Sequence, residues 1–321
     1  MVLCGTAAAA DRHYKFNLVS TSGDRESPNG KAVRRFSERV AEASDGRIRV
    51  NVFYSSELGG QGEVFDHLMK GNVHFMLEWP MTSYDQRLAI GMLPYSVLGW
   101  DDAIKAYSKD GWLRQIFERV FAENGLRYFG PFPEGFGGIA TRGKYATRRE
   151  QAAGLKVRSQ TIFPLPQVVQ AMGFESVPID WSEVYTSIQT GVVDGDSGNV
   201  IYWDYQYFGD LLDYYVHCKQ VFGAAAFVMN AQAYADMAPE DQQIVDAAAQ
   251  QMVSQQFIDA RSTDEYWIKT AQENGMQYIV PSDADMQRWV QQVRDEVWPQ
   301  AEVAYGKEIM DIIRANASVP E

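Results

Sequence analysis

Cysteine is almost missing from this chain: Cys4 and Cys218 are the only two in 321 residues, too few for a disulfide framework. Histidine is nearly as scarce. His13, His67, His74 and His217 fall in no His-Glu-x-x-His or His-x-His pattern, so the spacing offers no tight transition-metal site. No apolar run approaches the roughly 20 residues needed to span a bilayer. Positive charge is in deficit, with 29 Lys and Arg against 42 Asp and Glu and a net charge of -13. That balance argues against a nucleic-acid or anionic-membrane surface, which needs clustered cations. It leaves room for a small anionic ligand, because one buried arginine can dominate a site locally. Catalytic patterns are thin as well. There is no Gly-x-Ser-x-Gly, and Cys218 has no neighbouring signature of an activated nucleophile. Glu134-Gly-Phe-Gly-Gly138 lacks the order of a phosphate loop and reads instead as a crossing between lobes.

What is present is an ordinary globular composition, 46% hydrophobic and 22% charged, in a chain long enough for two lobes with separate cores. Residues 1–10 are small and apolar before a polar start at Asp11-Arg12-His13. They read as a signal-peptide remnant or a tail carried over from cloning. Tyr14 to Ser20, Arg47 to Phe53 and Asn72 to Trp79 read as strands. They alternate with helices at Lys31 to Ser44 and Glu63 to Lys70, the pattern of parallel βαβ units and an α/β fold. One helix is expected from Ala103 to Gly125. Amphipathic helix is expected from Asp241 to Thr270 and again from Asp283 to Ala315. An internal echo stands out. Glu63-Val64-Phe65 is followed by Leu68, Gly71 and Val73. Glu183-Val184-Tyr185 is followed at the same spacing by Ile188, Gly191 and Val193. Each copy reads as a short helix, a glycine able to take positive φ, and a strand. Two lobes of the same local architecture are therefore expected, and a small ligand commonly sits between such lobes.

The stretch from Gly154 to Asn199 looks built to grip a small anion. Gly154-Leu-Lys-Val-Arg158 is a short apolar strand ending on a guanidinium, followed by Ser159 and Gln160. A guanidinium presents a planar donor fork that matches a carboxylate and stays charged when desolvated. The bland alternative is an arginine paired with a neighbouring acid; the context favours the ligand. Asp180 fits a helix N-cap, with Glu183 reaching back as in a capping box. Trp181 beside it is read either as core or as a wall against the ligand's carbon skeleton. Other candidates stand at predicted strand ends: Glu78 and Trp79, then Phe163, with Trp203 in an aromatic cluster and Asn199 closing the stretch. Asp194 and Asp196 invite an acid/base reading, but Asp-Gly turn chemistry accounts for them better.

Taken together, Glu57-Leu-Gly-Gly60, Gly154-Leu-Lys-Val-Arg158, Val177-Pro178, Ser182-Glu-Val-Tyr185, Gly191-Val-Val-Asp-Gly195 and Met237-Ala-Pro-Glu-Asp-Gln242 resemble the solute-binding proteins of TRAP (tripartite ATP-independent periplasmic) transporters, of the DctP-like family. The resemblance covers the chain from about Tyr14 to Ala315. It implies a two-lobed periplasmic-binding-protein-like α/β fold with a ligand cleft between the lobes and long C-terminal helices. The expected division is residues 11–138 with about 225–262 in one lobe, and 139–224 with about 263–315 in the other. It also implies a periplasmic transport protein that is no enzyme and needs no cofactor or metal. Such a protein would pass its solute to TRAP membrane permease subunits, without nucleic acid or direct membrane insertion.

By the same resemblance Arg158 matches the arginine that binds the ligand carboxylate, and Trp181 falls where a wall residue stands. Two departures bear on the ligand. Where the family often has a second arginine after a Gly-Phe pair, Gly135-Phe136 is followed here by Gly137. Where a Glu-Asn-like pair usually follows the last Asp-Gly, this chain has Asp196-Ser197-Gly198-Asn199. A small organic acid with one carboxylate is therefore the expected ligand. The alternatives are a zwitterionic compatible solute such as ectoine, or an organic-acid enzyme on the same scaffold. Replacing Arg158 with Ala is expected to weaken binding and leave folding intact.

Overall fold

The computed structural model describes residues 12–319, so the leader reading of residues 1–10 lies outside the described residues. In chain order the elements are β1 (Tyr14–Ser20), α1 (Pro28–Ala43), β2 (Ile48–Tyr54), α2 (Gln61–Met69), β3 (Phe75–Glu78), α3 (Trp100–Tyr107), α4 (Trp112–Glu123), β4 (Leu126–Phe136) and β5 (Ile139–Thr141). Next come α5 (Arg149–Ala152), β6 (Lys156–Ser159), α6 (Leu165–Ala171), β7 (Glu175–Pro178), α7 (Val184–Gln189), β8 (Gly195–Ser197), α8 (Ile201–Phe208) and β9 (Tyr214–Val216). The chain closes with β10 (Phe222–Asn230), α9 (Ala231–Ala235), α10 (Pro239–Glu273), β11 (Gln277–Ile279), α11 (Asp283–Tyr305) and α12 (Lys307–Asn316). Among the described residues no helix is long and apolar enough to cross a membrane.

Two compact units partition the chain. One holds the described residues up to Glu78, with Phe121–Phe132 and Ala226–Gln255; the other holds Trp79–Val120, Pro133–Ala225 and the chain from Gln256 onward. One five-stranded sheet runs in the order β2-β1-β3-β10-β4, and one six-stranded sheet in the order β11-β9-β5-β8-β6-β7. In the first unit β1 pairs parallel with β2 and with β3. Its core is aromatic: Phe36 meets Phe227 edge-on at 4.9 Å and Phe75 at 5.4 Å, with all three rings buried. The apolar residues of α1 recur at helical spacing and so share one face, while β3 and β10 are buried at every position. In the second unit β6 pairs parallel with β7 and with β8. One apolar cluster there gathers Val157, Val168, Met172, Trp289 and Val293; another gathers Val184, Ile188, Val193, Ile201 and Phe208.

The two units repeat one supersecondary plan, β-α-β-α-β, with the first strand flanked by the second and third. The echo in the sequence marks its second helix and third strand. Gly71 and Gly191 take φ of 78° and 79°. Each closes its helix with the same pair of bonds: Gly71 N–H to Leu68 O and Gly191 N–H to Ile188 O, both 3.1 Å, then Asn72 N–H to His67 O and Val192 N–H to Ser187 O, both 2.9 Å. The second bond spans five residues, as in a Schellman cap. Val64, Leu68 and Val73 are buried, as are their counterparts Val184, Ile188 and Val193.

Two long helices expected from periodicity are interrupted. The segment from Ala103 to Gly125 divides into α3 and α4, because Ser108 leaves the helix and Gly111 packs its backbone onto the carbonyl of Ala106. The C-terminal segment divides at Gly306, whose φ of 86° and ψ of 152° no helix can continue.

Substituting Ala at Gly71 and at Gly191 is expected to cost a comparable amount, about 1–2 kcal/mol each, because both positions sit in the left-handed region. Urea denaturation midpoints of the two variants check this.

Candidate functional site

In an open α/β sheet, ligands bind beyond the carboxyl ends of parallel strands, where the strand order reverses. In the second unit that reversal lies between β6 and β8. There Arg158 stands directly opposite Asp196 in the parallel register. Both are buried, at 2% and 0% exposure. Arg158 Nη1 donates to Asp196 Oδ1 at 3.2 Å, and Nε donates to the Ile179 carbonyl at 2.9 Å. Nη2 makes no hydrogen bond among the described residues. The equivalent register position in the first unit is an apolar pair, Val19 opposite Met76.

Asp196 is held by more than the arginine. It accepts the Ser197 backbone N–H at 2.7 Å and Asn199 Nδ2 at 2.5 Å. Asn199 Nδ2 also reaches Asp204 Oδ1 at 3.2 Å, and Gln160 Nε2 donates to Asn199 Oδ1 at 3.2 Å. Burial pushes Asp196 above the usual carboxylate range, while the Arg158 guanidinium and the Ser197 N–H pull it back. Burial pushes Asp204 much further up, and the charge of Asp196 adds to the push. The proton of this carboxyl pair therefore resides on Asp204 and the negative charge on Asp196. With Arg158 charged, the cluster sums to zero.

An aromatic wall adjoins the cluster. Trp181 lies in a 3₁₀ turn (Trp181–Glu183) with its ring 5.9 Å from Arg158 Cζ. It meets Trp203 edge-on at 5.7 Å and Tyr207 at 5.6 Å. Trp203 is 4% exposed and donates Nε1–H to Glu134 Oε2 at 3.3 Å. Asp180 caps the turn through the Ser182 N–H at 3.1 Å. The expected capping box does not close, because Glu183 is exposed and makes no such bond.

The structure thus brings together Arg158, Gln160, Asn199, Trp181 and Trp203. The remaining candidates have other surroundings. Phe163 is half-buried against Tyr305 at 5.8 Å, and no ring contact links it to Trp181 or Trp203. Trp79 packs over Gly223, its Cζ2 3.4 Å from where a Cβ would stand. Glu78 belongs to the first unit, where its Oε2 accepts Thr21 Oγ1 at 2.5 Å, Ser22 Oγ at 2.6 Å and the Ser22 N–H at 3.0 Å.

Two members of the cluster escaped the sequence reading. Asp196, assigned to turn chemistry, is a buried residue of β8. Asp194 accepts the Lys156 N–H at 3.0 Å. Asp204 was not singled out at all, although a lone carboxylate inside the aromatic run Ile201–Phe208 is itself a signal, since burying it demands partners. Gly137 has no room for a side chain: a Cβ there would lie 2.3 Å from the Gly198 carbonyl oxygen. A separate cavity of about 380 Å³ in the same unit is lined by His217, Lys219, Met286 and Val290, and includes none of the Arg158 cluster.

Comparison with known proteins gives concordant matches. The family model for bacterial extracellular solute-binding protein, family 7 (DctP) matches residues 19–302. The ectoine-binding periplasmic protein TeaA of Halomonas elongata is 24% identical over 252 residues, covering 78% of this chain and 72% of that protein. A TRAP periplasmic solute-binding protein from Sulfurospirillum deleyianum, solved with bound succinate, superposes with a TM-score of 0.85 at 22% identity, over 95% of this chain and 99% of that one. Another from Polaromonas sp. JS666, bound to D-erythronate, gives 0.85 at 20% identity over 96% and 100%. The shared fold is the two-lobed α/β architecture with long C-terminal helices.

Asp204 supplies a pH signature. Its pKa is higher folded than unfolded, so the native state binds the extra proton. Its contribution to stability is complete below about pH 4, the unfolded value, and is lost as pH rises toward the folded value. Asp204→Asn keeps an oxygen to accept from Asn199 and has no proton to lose. The expected outcome is a smaller decline in melting temperature between pH 5 and 8 than in the wild type, read by calorimetry.

Proposed function

The chain belongs to the bacterial extracellular solute-binding proteins of family 7, and on that premise we propose that it captures a small organic acid carrying one carboxylate through Arg158 and delivers it unchanged to the membrane permease of a TRAP transporter. In this reading the protein works in the periplasm. The observation that carries it is the state of the Arg158 fork: Nε and Nη1 are fixed by Ile179 and Asp196, and Nη2 is left without a protein acceptor. A nitrogen of a buried arginine with no protein acceptor is a strong draw for a carboxylate oxygen, and its neighbours hold it in one orientation. Asn199 and Gln160 brace the same cluster, while Trp181 and Trp203 offer a flat apolar surface to the ligand's carbon skeleton. Trp79, Glu78 and Phe163 complete the proposed set of binding residues.

A single carboxylate fits better than two. At the position where a second arginine would stand, Gly137 is pressed against the Gly198 carbonyl, and the Arg158 charge is already balanced by Asp196. The same balance favours a second reading, a zwitterionic compatible solute such as ectoine. Its carboxylate would take Nη2, and its cationic ring would lie against the Trp181 and Trp203 faces. The ectoine-binding relative from Halomonas elongata supports that reading. Chemistry on the bound acid is disfavoured, because Asp196 and Asp204, the titratable pair with separated proton affinities, are committed to each other and to Arg158.

A thermal-shift panel of organic acids, sugar acids and ectoine tests the reading, since a ligand bound only by the native state raises the melting temperature. A ligand at 100 times its Kd stabilises by about 2.7 kcal/mol. The buried ion pair changes the expectation for Arg158→Ala. Stranding Asp196 without its partner is expected to cost about 3–5 kcal/mol of stability. Arg158→Lys is the sharper variant: it keeps the charge and loses the fork. The expected result is a folded protein whose affinity for the panel's best ligand falls at least 100-fold by calorimetry. Undiminished affinity removes Arg158 from the site.

A further inference from the structure

We infer that Asp196 is the residue that sets the charge class of the ligand: by occupying one edge of the Arg158 fork and cancelling its charge, it admits a monocarboxylate or a zwitterion and rejects a dicarboxylate. The inference rests on the reading that Arg158 holds the ligand carboxylate, and it assigns to Asp196 a role in selectivity that is separate from holding the fold together.

The repeated plan of the two units carries the argument. At one register position, between the first and third strands of each β-α-β-α-β segment, the first unit places Val19 opposite Met76 and the second places Arg158 opposite Asp196. All four side chains are buried. The frame is therefore satisfied by two apolar residues, and two buried charges are the costlier filling, since both ions are stripped of water. An arginine meant for a ligand alone would leave its charge free for that ligand. Here the carboxylate opposite it is fixed by three donors: Arg158 Nη1, the Ser197 N–H and Asn199 Nδ2. It cannot swing away to make room for a second acid. Arg158 itself is anchored through Nε on Ile179 O, so it cannot turn a fresh edge toward a bidentate partner. What remains is Nη2, one donor nitrogen for one carboxylate. A ligand monoanion brings this neutral cluster to one negative charge, and a dianion brings it to two. The second charge finds no compensating cation in the cluster and is repelled by Asp196. Selectivity is thus built from a repulsive element as well as an attractive one.

Calorimetry with matched probes tests this. The pairs are monomethyl succinate with succinate, and D-erythronate with meso-tartrate, each differing by one carboxylate, with ectoine as the zwitterion. Wild-type protein is expected to bind the monocarboxylate of a pair at least 10-fold more tightly than its dicarboxylate. In Asp196→Asn, which keeps the size, removes the charge and turns one acceptor oxygen into a donor, the ratio is expected to fall at least 10-fold, with ectoine weakened and the dicarboxylates strengthened. A merely structural role for Asp196 would lower the melting temperature and weaken all probes alike, leaving the ratios as they were; that result overturns the inference. Should the variant fail to fold, the wild-type ratios decide: a dicarboxylate bound as tightly as its partner overturns it. A wild type that binds none of the five probes, and no acid of the wider panel, sinks the ligand reading itself and this inference with it. Binding that is lost in Arg158→Lys but shows no preference within a pair sinks this inference alone.

Discussion

Two opposite charges held out of water 3.2 Å apart impose conditions on everything around them. A buried ion pair recovers its desolvation cost only when the remaining donors and acceptors are also met. That requirement accounts for the local sequence from Arg158 to Asp204. The Ile179 carbonyl, the Ser197 N–H and the Asn199 amide each answer one unfilled valence of the pair. Asp204 takes up a proton so that a second negative charge is not added. Gln160 then fixes the amide of Asn199 in the orientation the carboxylates need. Arg158, Asp196, Asn199 and Gln160 hold one another in place through these bonds, and fixed geometry is what a selective binding site requires.

The frame on which this rests is used twice. Each unit lays a strand between two parallel neighbours, and each ends its second helix on a glycine at the same φ. In the first unit the strand ends carry hydroxyls gathered on Glu78; in the second they carry the ion pair. Backbone architecture and charge are therefore separable here. Hydrophobic spacing and glycine placement decide the sheet, and a few side chains at the strand ends decide what the sheet offers to a ligand.

Much of the frame was legible in the sequence because its signals are local. The helical spacing of Val33, Phe36 and Val40, the alternation of Tyr14 to Ser20, and the glycines at 71 and 191 each act over a few residues. Arg158 was legible for the same reason, as a charge ending an apolar strand. The partner was not. Asp196 follows an Asp-Gly pair that reads as a turn, and only pairing of β8 with β6, 38 residues earlier in the chain, turns it into a buried strand residue. Asp204 was hidden by its aromatic surroundings, which mark a core helix rather than a polar site. The breaks at Gly111 and Gly306 were also missed: periodicity continues across them, while the backbone is turned aside by a close carbonyl in one case and a left-handed glycine in the other.

The contact at Gly137 ties that position to the bend it packs against. A Cβ there would fall 2.3 Å from the Gly198 carbonyl oxygen, and Gly198 itself sits at φ of 86° with Gln160 close behind it. No lone codon change can install a larger residue at 137 while its neighbours stay put. A long side chain at this point requires the 196–199 bend to be rebuilt first, so residue 137 and the bend can change only together.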